Sequence, residues 1–216
     1  MPRMTIHSSK GPRTSRVLEK AGSAANIRLS DADRSFLRDL GKAGIVDLET
    51  ADQYHYSNRQ SGGSKRLDKL CNAGIIERIE IGGINNRGPI KSYRFASNSV
   101  ARSFGGRMAT FGTNKGALHE WLVGRAYFEL DRPDGFRVAA RFTSSDVHLF
   151  GSSAPDAVAQ LDNGDIILVE ADSGHYTKVQ IMKKQHAWSG HRQYWIQPKN
   201  AMTVVPINQG VTATRI

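Results

Sequence analysis

The 216-residue chain has a single cysteine. Cys71 alone cannot form an internal disulfide, and a cysteine-rich zinc site is excluded with it. Within Leu67-x-x-Leu70-Cys71 it reads as a small buried side chain rather than a nucleophile. No apolar run approaches the ~18 residues of a membrane span. The N-terminus is basic but lacks the apolar core of a signal peptide, so a cytoplasmic protein is expected. There is no Gly-x-Ser-x-Gly elbow for a serine hydrolase and no Gly-x-x-x-x-Gly-Lys-Ser/Thr loop for ATP. No two histidines flank a single residue, since His175, His186 and His191 are spaced too widely; this argues against the two-histidine chemistry of rolling-circle initiators. Acids are also scarce, with 20 Asp and Glu against 30 Lys and Arg, a net charge of +10 and a pI near 9.9. Such an excess favours a polyanionic partner.

Half of that excess lies in residues 1–29, where Arg3, Lys10, Arg13, Arg16, Lys20 and Arg28 face only Glu19. The segment is rich in Ser, Gly and Pro and has no apolar periodicity, so it reads as a disordered basic arm. Its arginines, Arg13 and Arg16 among them, suit a phosphate backbone; a solubilising tail is the other reading.

Residues 30–100 carry three helical signals followed by a hairpin. Ser30 caps a helix with acids in its first turn, Phe36, Leu37, Leu40 and Ala43 follow at helical spacing, and Gly44 stops it. Residues 45–48 read as short and extended, and Thr50 as the cap of a second small helix. A third helix spans Ser64 to Ala73, with Leu67, Leu70 and Cys71 on one face and Lys65, Arg66 and Lys69 largely outside it. A partly alternating strand over residues 75–81, a glycine-rich loop holding Arg87, and a return strand over 91–95 complete a winged helix-turn-helix pattern. In that class the third helix enters the major groove and the wing follows the backbone. Arg59, Lys65, Arg66, Lys69 and Arg87 are therefore the candidate DNA contacts, unless the module serves protein contacts and these are an ordinary solvated face.

Residues 101–216 begin with a glycine-rich connection. Thr113 or Asn114 then caps a helix from Gly116 to about Leu130, carrying His119 and Glu120. A strand is expected at Phe136–Phe142 and a hairpin around Asp162-Asn163-Gly164-Asp165. A helix from about Tyr176 to Ser189 and a last strand at Thr203–Pro206 follow. One acid, Asp156 after Pro155, precedes the first hairpin arm. The second arm ends on Glu170-Ala171-Asp172. This is the order of the PD-(D/E)xK nuclease core. Hard carboxylates there hold Mg²⁺ or Mn²⁺, and a lysine offsets charge developing on the phosphate. Asp172 stands where that lysine is expected; Lys184, or less favourably Lys178, is placed to supply the charge instead. The same substitution also fits a domain that has lost catalysis. Tyr176 reads as packing or as a nucleophile. Trp188, Tyr194 and Trp195 read as core or as a stacking surface for unpaired bases.

The layout resembles the replication-relaxation family of plasmid proteins and, by extension, the MobC-type (MOBC) relaxases of mobilisable plasmids. The features that carry it are the winged helix from Leu29 to Phe95, the helix near Leu118-His119-Glu120, Pro155-Asp156-Ala157, Val169-Glu170-Ala171-Asp172-Ser173-Gly174, and Lys184 with Trp188. It covers roughly residues 29–190, and no single motif in it is diagnostic. The resemblance implies nicking of double-stranded DNA at an origin of transfer with a divalent metal. Asp156, Glu170 and Asp172 would be metal-site acids, Glu120 would join them, and His119 would carry a proton or contact substrate. Single-stranded DNA and conjugation or replication proteins are further expected partners. The alternatives are a non-catalytic replication or transfer factor with a degenerate nuclease-like domain, and a transcriptional regulator.

Overall fold

The computed structural model describes residues 27–57, 62–82, 88–150 and 153–216. Residues 1–26 of the expected basic arm, with Arg13 and Arg16, and also Arg59 and Arg87 lie outside the described residues, whereas Leu29, the last residue of that arm, is buried in the core. The chain is a mixed α+β protein with one three-stranded and one five-stranded sheet. Among the described residues no helix is long and apolar enough to cross a membrane.

Helix α1 (Asp31–Ala43) starts on a capping box, with Ser30 and Asp33 each satisfying the other's backbone N–H, and Gly44 ends it at a φ of 81°. Phe36, Leu37, Leu40 and Ala43 form its buried face. Strand β1 (Val46–Asp47) leads into α2 (Leu48–Ala51), capped by Asp47 rather than Thr50, and a π-helical turn at Asp52–Tyr56. Helix α3 (Ser64–Asn72) follows, then β2 (Ile76–Ile81) and β3 (Ile90–Phe95), an antiparallel pair whose outer edge takes β1.

Asp33 ties this half together. Its buried carboxylate accepts from the Tyr56 hydroxyl at 3.1 Å and from the Arg66 guanidinium at 2.9 and 2.6 Å. Burial raises the carboxyl's pKa, but the Arg66 and Ser30 hydrogen bonds and the Arg66 charge outweigh it and hold it at about 2.

After α4 (Asn98–Ser103), helix α5 (Asn114–Glu129) joins the two sheets. It buries Ala117, Trp121, Leu122, Val123, Gly124, Ala126, Tyr127 and Phe128, too many sides for a surface helix. Trp121 Nε1 donates to Asp47 Oδ2 at 2.7 Å, Arg125 to Thr50 Oγ1 at 2.6 Å and Tyr127 to Asp39 at 2.8 Å. Gly124 lies directly on the carbonyls of Ala43 and Ile45. A single apolar core runs from α1 through α5 to Ala157, Ala159, Ile167, Val169, Ala171, Tyr194 and Ile196.

The second sheet has the order β4-β5-β6-β7-β8. Strands β4 (Gly135–Val138), β5 (Ala157–Gln160) and β6 (Ile166–Ala171) form an antiparallel meander. Helix α6 (Ser144–Phe150) interrupts it, and α7 (Lys178–Ala187) crosses to β7 (Arg192–Gln197), which runs parallel to β6 and to β8 (Val211–Arg215). The β5–β6 turn lies where expected, with Gly164 at a φ of 86°. Alternation along β6 sends Ile167 and Val169 towards α5, whereas Leu168 joins Trp188, Trp195 and Ile181 in a second cluster under α7.

Three expectations are corrected. The strand expected at Phe136–Phe142 stops at Val138, because Ala139 donates its N–H to the Asp156 carbonyl and the chain turns. Residues 203–206 pair with no strand. Val205 donates instead to the Gln197 side chain, and Pro206 has no N–H to offer, so the last strands are β7 and β8. Trp188 and Trp195 are fully buried and Tyr194 nearly so, which makes them core and removes them as a base-stacking surface.

Gly124 gives a direct check on the junction. A Cβ there would lie 3.0 Å from the Ala43 carbonyl oxygen and closer still to that of Ile45. Backbone on both sides cannot yield, so Gly124→Ala is expected to lose about 1–3 kcal/mol in a denaturant titration, despite alanine's better helix propensity.

Candidate functional site

The five-stranded sheet brings Asp156, Glu170, Lys184, His119 and Tyr176 together at one end. Asp156 directly precedes β5, and Glu170 is the penultimate residue of β6. Antiparallel pairing sets Ala157 beside Val169, which places the two acids next to each other across the hairpin. Asp156 is held by its own backbone, with its N–H on the Val169 carbonyl at 3.0 Å, and by its Oδ2, which accepts from the Ala171 N–H at 2.9 Å. Its other oxygen lies 3.1 Å from His119 Nε2, which reaches across from α5.

Glu170 is fully buried, and its two oxygens have different surroundings. Oε1 accepts from the Lys184 ammonium and, at 2.7 Å, from the Tyr176 hydroxyl. Oε2 is buried with no hydrogen-bond partner among the described residues. Lys184 stands on α7 with its Nζ 5.1 Å from the centre of the Tyr176 ring and 5.4 Å from that of Trp188, so two aromatic faces steer it onto Glu170. An ammonium thus reaches Glu170 from the neighbouring helix.

Electrostatics follow this geometry. Burial and the adjacent Asp156 charge push the Glu170 carboxyl up to about 7, against the opposing pull of Lys184 and Tyr176. His119 is also raised, chiefly by its hydrogen bond to Asp156, with burial working against it and the charges of Asp156, Glu120 and Glu170 adding to it. The Tyr176 phenol is raised by burial and by the Glu170 charge, which disfavours a phenolate nucleophile.

The remaining sequence candidates fall elsewhere. Glu120 lies beside His119 on α5 but is paired with Arg107 at 2.6 Å. Asp172 is buried and organises the following loop: Oδ1 accepts from the N–H groups of Gly174, His175 and Tyr176, and Oδ2 from Gln197 Nε2 at 2.8 Å. These bonds give it a structural task in place of the metal-site role expected of it. Among the described residues no group of three or more His, Cys, Asp and Glu side chains is arranged to hold a metal ion. The donor set that remains for a cation is the Asp156 carboxylate and Glu170 Oε2.

Arg66 is the clearest correction on the DNA-binding side. It is committed to Asp33 and to the Arg28 carbonyl at 2.8 Å, so releasing it to solvent would strand a buried carboxylate. Lys65 and Lys69 remain exposed on α3. Cys71 is half-buried, and burial raises its thiol pKa, in keeping with an unreactive side chain. Tyr176 and Gln197 were missed as partners of the acids; sequence proximity was the signal for the first, and none existed for the second.

Glu170 yields a pH test. Its raised pKa means that its contribution to stability is complete below the ordinary value near 4.5 and is lost as pH rises through about 7. A Glu170→Gln variant should therefore gain on the wild type as pH rises from about 4.5 to about 7, by roughly 1 kcal/mol or ~2–4 °C in Tm per pH unit, and the difference should be level above and below that window. Thermal melts at several pH values read this directly; a pH-independent difference would contradict the placement of Glu170. Comparisons with protein families, with curated proteins and with solved structures give no match, so the reading of this site rests on its geometry.

Proposed function

We propose that the chain is a DNA-binding, divalent-metal-dependent nickase acting at an origin of plasmid or mobile-element transfer. On this reading α1, α3 and the β2–β3 hairpin form a winged helix, and α5 with β4–β7 and α7 forms a PD-(D/E)xK-like core. The observation that carries the reading is the Lys184–Glu170 contact beside Asp156. It reproduces the acid, acid and ammonium set of such a site, with the lysine on a helix instead of on the strand.

The residues present fit a single hard cation. Glu170 has one oxygen saturated by Lys184 and Tyr176 and the other left bare in a buried setting, next to a second carboxylate. Mg²⁺ or Mn²⁺ bound by Asp156 and Glu170 would supply a Lewis acid for the scissile phosphate. Lys184 places positive charge where the phosphate becomes more negative. His119, held on Asp156 and raised in pKa, is positioned to give or take a proton at Nε2. Lys65 and Lys69 would meet duplex phosphates from α3.

A second reading has its own support. Glu120 is engaged by Arg107, Asp172 by the loop and Gln197, and among the described residues of this site two carboxylates are left for a metal. A non-catalytic DNA-binding replication or transfer factor would tolerate that loss. Supercoiled plasmid carrying the cognate origin separates the two. With Mg²⁺ or Mn²⁺ the nickase produces open circles. Asp156→Ala and Glu170→Ala should abolish nicking while preserving DNA binding, and Lys184→Ala should slow it by about 10²–10³-fold. Tight binding with no nicking in either metal would overturn the nickase and leave the second reading.

A further inference from the structure

A cleft of about 560 Å³ opens between α1 and the chain after α4, lined by Asp31, Arg34, Arg38, Ser103 and Phe104. Arg34 and Arg38 lie one helical turn apart, exposed, and take part in none of the salt bridges among the described residues. Lys42 chiefly lowers the pKa of the exposed Asp134 carboxyl and Arg38 adds to it from a distance, without an ion pair that would occupy its guanidinium. Phe104 stacks on Phe95 with ring centres 5.9 Å apart and planes 15° from parallel, which makes it a fixed aromatic wall. The cleft is held together by backbone packing, since Gly106 lies against Gly41 of α1 too closely for a Cβ on either residue.

The next residue, Gly105, leads towards the carboxylates. Its carbonyl accepts from Arg141 Nη1 at 3.2 Å. Arg141 ends the short turn that begins at Ala139, whose N–H is bonded to the Asp156 carbonyl at 2.9 Å. Partial burial of the Arg141 guanidinium lowers its pKa, and the nearby Arg107 charge adds to this. Arg141 thus adds a third cation between the cleft lined by Arg34 and Arg38 and the chain segment bonded to Asp156. A duplex keeps its bases paired and its backbones outside, so an aromatic in a cleft can meet a base only where the DNA is unpaired.

We infer that this cleft binds the unpaired strand of the DNA, with a base against Phe104 and phosphates on Arg34, Arg38 and Arg141, and leads that strand to Asp156 and Glu170. The inference rests on the nickase reading for its substrate, but its test needs no cleavage. Anisotropy of a labelled oligothymidine of about 12 nucleotides, titrated in EDTA, reports single-strand affinity, and a labelled duplex reports the rest of the surface. The Arg34→Ala/Arg38→Ala double variant should lose about tenfold for the oligothymidine and lower the slope of log affinity against log salt by ~1.4. Its duplex affinity should change less than about twofold. Arg192→Ala, at the opposite end of the sheet from Glu170, should change neither. A 2-aminopurine probe should lose its quenching in Phe104→Leu. Unchanged single-strand affinity in the double variant would overturn the inference, as would equal losses for both DNAs. Because no metal is present, a protein that fails to nick can still pass.

Discussion

The structure depends on α5 being buried on two opposite sides. One side meets the end of α1 and the entry to β1 at bare backbone, where Gly124 touches the carbonyls of Ala43 and Ile45, and meets β1 at Asp47, which accepts from Trp121. The other side packs on β6 and β7 and carries His119 to Asp156. An ordinary amphipathic helix could not join two sheets in this way. Because α5 lacks a free apolar-against-polar division, its position is set from both directions, and so is the distance from the first half of the chain to the carboxylates.

The carboxylate pair is the second constraint. Two acids brought side by side by strand pairing, one of them fully buried, repel each other and raise Glu170. Lys184 and Tyr176 answer this only on Oε1. The result is a buried carboxylate oxygen, Oε2, left without a donor, which a protein built only for stability would have little reason to keep. The nickase reading gives that bare oxygen a use, as a ligand for a cation.

Much of this was legible in the sequence because it is local. The Ser30 cap, the spacing of Phe36, Leu37 and Leu40, the Asn163-Gly164 turn, and a cap for α5 at Thr113 or Asn114 all follow from rules that act over four residues or fewer. Lys184 was legible as a candidate on the helix after the hairpin, but its contact with Glu170 depends on how that helix packs across the sheet. What escaped is long-range. Arg66 looked outward by helical face, yet its partner Asp33 lies 33 residues earlier. Asp172 looked like a ligand until the turn through Gly174 and the side chain of Gln197 claimed it. Strands β7 and β8 escaped because Arg192–Gln197 is dense in aromatics that read as a cluster. β8, by contrast, is a short edge strand of Thr and Ala with little apolar signal.

The central claim is that Asp156 and Glu170 together form a cation site. A crystal of the full chain soaked in Mn²⁺ and measured at the manganese edge tests it most directly. The account predicts one anomalous peak about 2.2 Å from an Asp156 carboxylate oxygen and from Glu170 Oε2, lost in Glu170→Gln. A map with no peak there, and Lys184 still seated on Glu170, would contradict it.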